Sequence, residues 1–368
     1  MRRRSHGLNR ARRKGNAMTT GQHPSAPAPR IYSLPRPDWL ALHDEEAIDP
    51  ARPIVDPHHH LWDRPGEPYL ADAAIADMTS GHNIVASVYV ECHSMYRPDG
   101  PEAMRPVGEV EFAARVATLA QQDGDGSPAL CAGIVGHADL MLGDDVRAVL
   151  EAEIAAGGGH FRGIRHSTAH DADPVVGSIY PVRPQELMAE TAFRRGFAHL
   201  AHLGLSFDSW LFHPQMDELL DLARAFPETT IVLNHCGGPI GVGRYADDRA
   251  AVFRDWKAAI GRIAAAPNVH MKLGGLAIRL LGRLYEKRPV PPSSEELASA
   301  WRPYMDSCID MLGPDRCMFE SNFPPDKGQC SYRTLFNAFK RIAASYGEAE
   351  KTALFSATAG RVYRLELD

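Results

Sequence analysis

The sequence predicts a (β/α)8 barrel, a TIM barrel, because eight short apolar runs alternate with longer stretches of helical periodicity. The runs are rich in Val, Ile, Leu and Ala and do not alternate strictly with polar residues, which indicates parallel strands buried on both faces. No GxGxxG turn follows the first run, which disfavours a doubly wound open sheet. The length of 368 residues suits one barrel with insertions, although two ordinary domains would also fit it.

The predicted strands and helices are spaced as such a barrel requires. The strands are expected within residues 53–60, 84–92, 129–140, 161–167, 205–210, 229–238, 268–276 and 316–324. The helical patterns that follow them span residues 70–82, 107–122, 144–158, 184–204, 215–227, 249–267, 293–313 and 332–347. We therefore assign the barrel to residues 51–368, after a leader over residues 1–50 that is either disordered or lies on the surface.

The start of the chain differs in charge from the rest. Residues 1–17 carry seven Lys or Arg and no Asp or Glu, so the net charge of −6 for the whole chain becomes −13 for the remainder. We expect a disordered basic extension; nucleic-acid binding is the alternative, which the acidic body disfavours. The chain has no apolar run of the length that a membrane span needs, so no membrane partner is expected. Six cysteines without a CxxC motif favour reduced thiols and the cytoplasm.

Polar side chains follow every predicted strand. In a barrel the carboxyl ends of the strands surround one cavity, so these side chains should converge on a small-molecule site. In chain order they are His58 and His60, Glu91 and His93, His137, Arg165 and His166, Asp208, Asn234 and His235, Lys272, and finally Glu320, Ser321 and Asn322. His59 should point away from His58 and His60, towards the surrounding helices, because neighbours in a strand face opposite sides.

Several of these stretches resemble a known family. The motifs "VDPHHHLWD", "FRGIRH", "VLNHCGGP" and "MFESNFP" look like the amidohydrolase superfamily in its amidohydrolase-2 branch, and the resemblance runs from about residue 53 to 364. It implies a TIM-barrel hydrolase that is lactonase-like. Related branches contain decarboxylases and metal-dependent amide hydrolases. Barrels of this kind often dimerise, so a homodimer is an open expectation.

The resemblance also implies a metal site, but the match is incomplete. His58, His60 and His235 correspond to family ligands, and they are the predicted ligands if a single divalent metal such as zinc is bound. Arg165 and His166 stand where a bridging lysine would be. Asn322 stands where most of the family has Asp, and an amide is a weak zinc ligand that cannot accept a proton at neutral pH. We therefore expect that no cofactor is required.

These considerations give predicted roles for the strand-end residues. His58, His60 and His235 are predicted to be catalytic, together with Asn322 and with Asp326, the nearest carboxylate that could replace the missing Asp. The predicted substrate-binding residues are Glu91, Arg165, His166, Asp208 and Lys272.

The predicted activity is the opening of a lactone or small cyclic ester that carries a carboxylate or hydroxyls. The alternatives are a zinc-dependent amide hydrolase or decarboxylase, and a barrel that has lost its chemistry and serves as a binding protein.

Overall fold

The computed structural model describes residues 30–122 and 127–367, in which eight parallel strands follow one another around one sheet in chain order. All eight predicted strands are present, and each is shorter than predicted. They are β1 (Pro53–His59), β2 (Asn83–Val90), β3 (Ala129–Gly136), β4 (Phe161–Arg165), β5 (Ser206–Ser209), β6 (Ile231–Leu233), β7 (Val269–Leu273) and β8 (Cys317–Phe319).

The sheet closes where β8 returns to β1. The N–H of His60 donates to the carbonyl of Phe323 over 2.8 Å, and the N–H of Asn322 donates to the carbonyl of His58 over 2.9 Å. A parallel bridge joins His59 and Phe323 at the same place. The predicted (β/α)8 barrel is thereby confirmed, and its closure puts the residues after β8 beside the histidines of β1.

Helices cover the outside of the barrel and connect its strands. They are α1 (Pro37–Leu40), α2 (Ala71–Met78), α3 (Val107–Gln122), α4 (Val146–Ala156), α5 (Pro174–Ile179), α6 (Thr191–His202), α7 (Met216–Ala225), α8 (Arg249–Ile263), α9 (Ser294–Leu312), α10 (Tyr332–Ile342), α11 (Glu348–Thr352) and α12 (Thr358–Val362). Helix α9 starts with a capping box: Ser293 Oγ accepts from the N–H of Glu296, and Glu296 accepts from the N–H of Ser293. None of the helices in the described part of the chain is long and apolar enough to cross a membrane.

The inside of the barrel is filled in layers. A lower layer of small and branched side chains includes Val55, Val88, Val135 and Val232, and Tyr363 from the end of α12 packs among them. Above it the interior becomes polar, at the carboxyl ends of the strands. The larger apolar core lies outside, between the strands and the helices.

The described part of the leader packs onto the barrel. Trp39 is buried in the short α1, and its indole N–H donates to the carbonyl of Arg288 over 2.9 Å. Tyr32 and Ser33 are also buried. The predicted basic extension lies outside the described residues, and the boundary between leader and barrel at residue 50 stays a prediction.

Candidate active site

His58 and His60 lie on the same side of the end of β1, and their rings form a hydrogen-bonded chain. The Nδ1–H of His60 donates to the carbonyl of Val90 over 2.7 Å, and its Nε2 lies 3.2 Å from His58 Nε2. His58 Nδ1 lies 3.4 Å from Lys272 Nζ. Burial lowers the pKa of both imidazoles, and the nearby positive charges lower it further. Both rings are therefore neutral.

His59 takes no part in this chain. Its Nε2 lies 3.0 Å from Ser87 Oγ, and its ring packs edge-on against Tyr89, which faces α3. Burial lowers the pKa of His59 to about 3. This arrangement agrees with the expected separation of His59 from His58 and His60.

Glu320, directly after β8, connects two histidines. The Nδ1–H and the backbone N–H of His235 donate to Glu320 Oε1 over 2.7 and 3.1 Å. The ring of His235 fits because residue 275 is Gly: a Cβ there would lie 2.2 Å from His235 Nδ1, and the φ of Gly275 is +63°. The other oxygen, Oε2, lies 2.7 Å from His58 Nδ1 and has no hydrogen-bond donor within the described ranges.

Arg165 and Glu91 form a charged pair beside the histidines. Arg165 Nε donates to Glu91 Oε1 over 2.7 Å, a second guanidinium nitrogen donates to the Glu91 carbonyl, and the third lies 3.3 Å from His58 Nε2. Burial alone would raise the pKa of Glu91, but the charge of Arg165 outweighs it and holds that pKa well below its usual range. The pair is therefore ionised, and Glu91 fixes the position of the guanidinium.

Lys272 and Asp208 form a second ion pair, which lies beneath His58 and is fully buried. Lys272 Nζ donates to Asp208 Oδ2 over 2.6 Å, and Asn234 Nδ2 and the Tyr363 hydroxyl donate to the same carboxylate over 3.0 Å each. Neither charged residue lines the cavity described below. Lys272 and Asp208 therefore lie beneath His58 and do not face the cavity. The predicted substrate-binding roles would require them to face it.

Asn322 and Asp326 contact each other, whereas Glu320 contacts His58 and His235. Asn322 Nδ2 donates to Asp326 Oδ1 over 2.8 Å, and the N–H of Ala277 donates to Asp326 Oδ2 over 3.2 Å. Burial raises the pKa of Asp326 well above its ordinary value, which favours the protonated acid. The carboxylate that contacts the site histidines is thus Glu320, which belongs to the strand-end set but was not among the predicted catalytic residues.

His166 is also separated from the histidine chain. Its Nδ1 accepts from the N–H of Leu140 over 3.2 Å, and its ring packs against Phe193. It does not line the main cavity, so these contacts give no support to a substrate-binding role.

A cavity of about 650 Å³ opens above the charged pair. His60, Glu91 and Arg165 line its polar floor. Further out, the cavity is lined by residues 178–181 at the end of α5 and just after it, by Arg279 from the connection after β7, and by residues 30–32 of the leader. The predicted strand-end site is therefore connected to a cavity of the size that commonly binds a small molecule.

Three side chains are close enough together to hold a metal ion. Potential ligand atoms of His58, His235 and Glu320 all lie within 4.8 Å of one another. Two imidazoles and a carboxylate suit a divalent ion such as zinc, and the unpartnered Glu320 Oε2 facing His58 Nδ1 is consistent with a cation or a proton between them. The set contains Glu320 and not the predicted ligand His60, and the guanidinium of Arg165 lies 3.3 Å from the His58 nitrogen that faces His60.

Comparison with known proteins identifies related chains. A family model described as amidohydrolase matches residues 55–365. The uncharacterised protein y4mH of Sinorhizobium fredii is 33% identical over 333 residues, which cover 85% of this chain and 98% of that protein. The L-fucono-1,5-lactonase of Burkholderia multivorans is 26% identical over 322 residues, which cover 84% of this chain and 96% of the lactonase. A crystal structure of an amidohydrolase from Burkholderia multivorans with bound zinc is 25% identical, with a TM-score of 0.61, and the match covers 86% of this chain and 100% of that one.

Proposed function

Because the chain belongs to the amidohydrolase family and is therefore a hydrolase, we propose that it opens a lactone or a similar small cyclic ester that carries a carboxylate or hydroxyls. The proposal rests on the Glu320–His235 pair and on the ionised Arg165. Arg165 lines the floor of the cavity of about 650 Å³, and His58 lies between Arg165 and His235. The match to an L-fucono-1,5-lactonase over most of both chains supports the same bond type.

Glu320 prepares His235 to act as a base. Since the Nδ1–H of His235 donates to Glu320, its Nε2 carries the lone pair and can take a proton from water, while the carboxylate stabilises the imidazolium that forms. His235 is 5% exposed, and the proposal places the attacking water at its Nε2. The hydroxide then attacks the ester carbonyl, and the same imidazolium returns its proton to the leaving alkoxide.

Arg165 supplies positive charge where the oxyanion develops. It is 8% exposed at the cavity floor, and Glu91 holds its guanidinium in place by two hydrogen bonds. A fixed donor of this kind contributes typically about 3 kcal/mol to the transition state. Arg30, Arg64 and Arg279 line the same cavity further out, which favours a substrate with an anionic substituent.

In this proposal the reaction does not require a metal. His58, His235 and Glu320 would hold a divalent ion, which would supply a Lewis acid for the carbonyl and lower the pKa of water. However, Lys272 and Arg165 bring positive charge within 3.4 and 3.3 Å of the two ring nitrogens of His58, and this opposes a further cation. The zinc-dependent alternative, an amide hydrolase or decarboxylase, is supported by the zinc-bound relative.

We further propose a cytoplasmic location and a small molecule, not nucleic acid, as the main partner. All six cysteines are buried free thiols, which suits a reducing compartment. We also propose that the protein forms a homodimer.

The test is a screen of L-fucono-1,5-lactone and carboxylated lactones by titration of the released acid, with the metal content measured on the same protein purified without chelator. We expect acid release that survives chelator, and a loss in kcat of about a hundredfold or more in Glu320→Gln. Glu151→Gln, a half-exposed carboxylate on α4, is the matched control and should keep full activity. Absence of acid release from every lactone contradicts the proposed function, and about one zinc per chain with chelator-sensitive activity contradicts the metal-free mechanism alone.

A further inference from the structure

A short segment that precedes the barrel crosses the mouth of the cavity. The N–H of Arg279 donates to the carbonyl of Ile31 over 2.8 Å, and Arg279 Nε donates to Ser33 Oγ over 3.2 Å. On the opposite side Arg30 pairs with Glu67 over 3.0 Å. The segment Arg30–Ser33 is thus tied to the loop after β7 at one side and to the loop after β1 at the other.

Tyr32 of this segment is part of an ordered aromatic stack. Its ring stacks on Trp62 with a centroid distance of 5.6 Å and an interplanar angle of 29°. The Arg64 guanidinium lies 3.9 Å from the Trp62 ring and donates to the Tyr32 hydroxyl over 2.7 Å. Tyr32 is 8% exposed, and both rings line the cavity, so their positions are set before any ligand arrives.

The two ends of the cavity differ in chemistry. The floor is polar and charged, with His60, Glu91 and Arg165, whereas the outer part adds apolar and aromatic side chains beside the charged Arg30, Arg64, Glu67 and Arg279. The apolar and aromatic residues there include Ile31, Tyr32, Trp62, Ile179, Tyr180 and Pro325. A small sugar lactone bound at the floor would leave these surfaces in contact with water, whereas an apolar group would bury them.

We infer that the segment Arg30–Ser33 is a wall of the substrate site, and that the outer half of the cavity binds an aromatic or alkyl substituent of the lactone through Tyr32 and Trp62. The inference rests on the proposed function for the identity of the reacting bond. It concerns a different part of the cavity, and it assigns specificity to residues outside the eight strand ends.

The test compares 3,4-dihydrocoumarin, an aromatic lactone, with L-fucono-1,5-lactone. We expect Tyr32→Ala to lower kcat/KM for dihydrocoumarin about tenfold, chiefly through KM, with less than a twofold change on the sugar lactone. The control is Tyr346→Ala, which removes a partly buried tyrosine that is hydrogen-bonded to Asp306 and is distant in sequence from Tyr32. It should leave kcat/KM unchanged for both lactones. An equal loss on both lactones in Tyr32→Ala, or no loss, overturns the inference. Ile31→Ser gives the same comparison should Tyr32→Ala not fold.

A binding measurement separates the two proposals. Coumarin-3-carboxylate is titrated into the full-length chain by calorimetry, and we expect binding that Tyr32→Ala weakens about tenfold. If coumarin-3-carboxylate binds and Tyr32→Ala weakens the binding, but no lactone is hydrolysed, the proposed function is contradicted and the assignment of Arg30–Ser33 as a wall of the site is supported. Equal affinity of wild type and Tyr32→Ala for coumarin-3-carboxylate, or no binding, contradicts the assignment of Arg30–Ser33 as a wall of the site, whether or not lactones are hydrolysed.

Discussion

The contacts of Asn322 explain why an amide is accommodated after β8. Its φ is +52°, a left-handed conformation that Asn adopts more readily than most residues. Its side-chain NH2 donates to Asp326, and both side chains are buried. A carboxylate at position 322 would instead place two acidic groups side by side without water.

We therefore expect Asn322→Asp to destabilise the fold in a pH-dependent way. The second carboxyl would have a raised pKa in the folded state, so the variant is least affected at pH 5 and loses about 3 kcal/mol at pH 8, where a buried charge is uncompensated. Urea unfolding at the two pH values measures this. The exchange Asn322→Asp with Asp326→Asn restores one amide and one carboxyl and should recover most of the loss. If the double variant is no more stable than the single one, the contact with Asp326 is not the cause.

Glu320 and Asp326 show how far the position of a polar residue after a strand predicts its contacts. Counting polar residues after β8 includes Glu320, and parallel strands in a barrel predict correctly that it lies near His58 and His235. The count does not say which of several neighbouring residues faces inward. That depends on β8 having only three residues and on the backbone bonds that close it against β1, which are non-local contacts.

Helix α3 and strand β2 are joined by a single buried carboxyl group. Glu109 Oε1 accepts from the Tyr89 hydroxyl over 2.7 Å and from the N–H groups of Cys92 and Ser94 over 2.8 and 3.2 Å. Its Oε2 has no partner within the described ranges. Burial, aided by the charge of Glu91, raises the pKa of Glu109 to about 7. The folded state therefore favours the protonated acid, because burial and the charge of Glu91 outweigh the hydrogen bonds that favour the carboxylate.

The sign of the resulting pH dependence follows from the raised pKa. The folded state binds this proton more tightly than the unfolded state, so the stabilisation is complete below about pH 4.5 and is lost as the pH rises through about 7. The difference is up to about 3 kcal/mol. Glu109→Gln resembles the protonated acid at every pH, so this variant should lack the pH dependence of stability that Glu109 causes.

The free energy of unfolding of Glu109→Gln minus that of wild type should therefore increase between pH 5 and pH 8, because wild type alone loses stability as the pH rises. Urea unfolding of both proteins across this range measures the change. Glu151→Gln on α4 should show a constant difference from wild type. A constant difference in Glu109→Gln as well would mean that Glu109 does not titrate in this range.

The barrel as a whole is predictable because its signal repeats. Eight apolar runs with helical patterns between them point to one architecture, and errors at the ends of single strands, such as the overlong runs around β3 and β6, do not alter it. The leader has no such repeat. The packing of Tyr32 and Trp39 on the barrel depends on contacts with Trp62, Arg64 and Arg288, which are distant in sequence and could not be predicted from composition.

If the leader is part of the same folding unit, a change within it must affect the unfolding of the entire molecule. Trp39 is 6% exposed and donates to the Arg288 carbonyl, so Trp39→Ala should cost about 3 kcal/mol or more. Leu42→Ala, at a position that is 60% exposed, is the control and should change stability by less than about 0.5 kcal/mol. In Trp39→Ala the transitions followed by tryptophan fluorescence and by far-ultraviolet circular dichroism should shift together to lower urea concentration, because a single cooperative unit has one transition. A fluorescence change that precedes an unshifted circular dichroism transition would show instead that the leader detaches while the barrel stays folded.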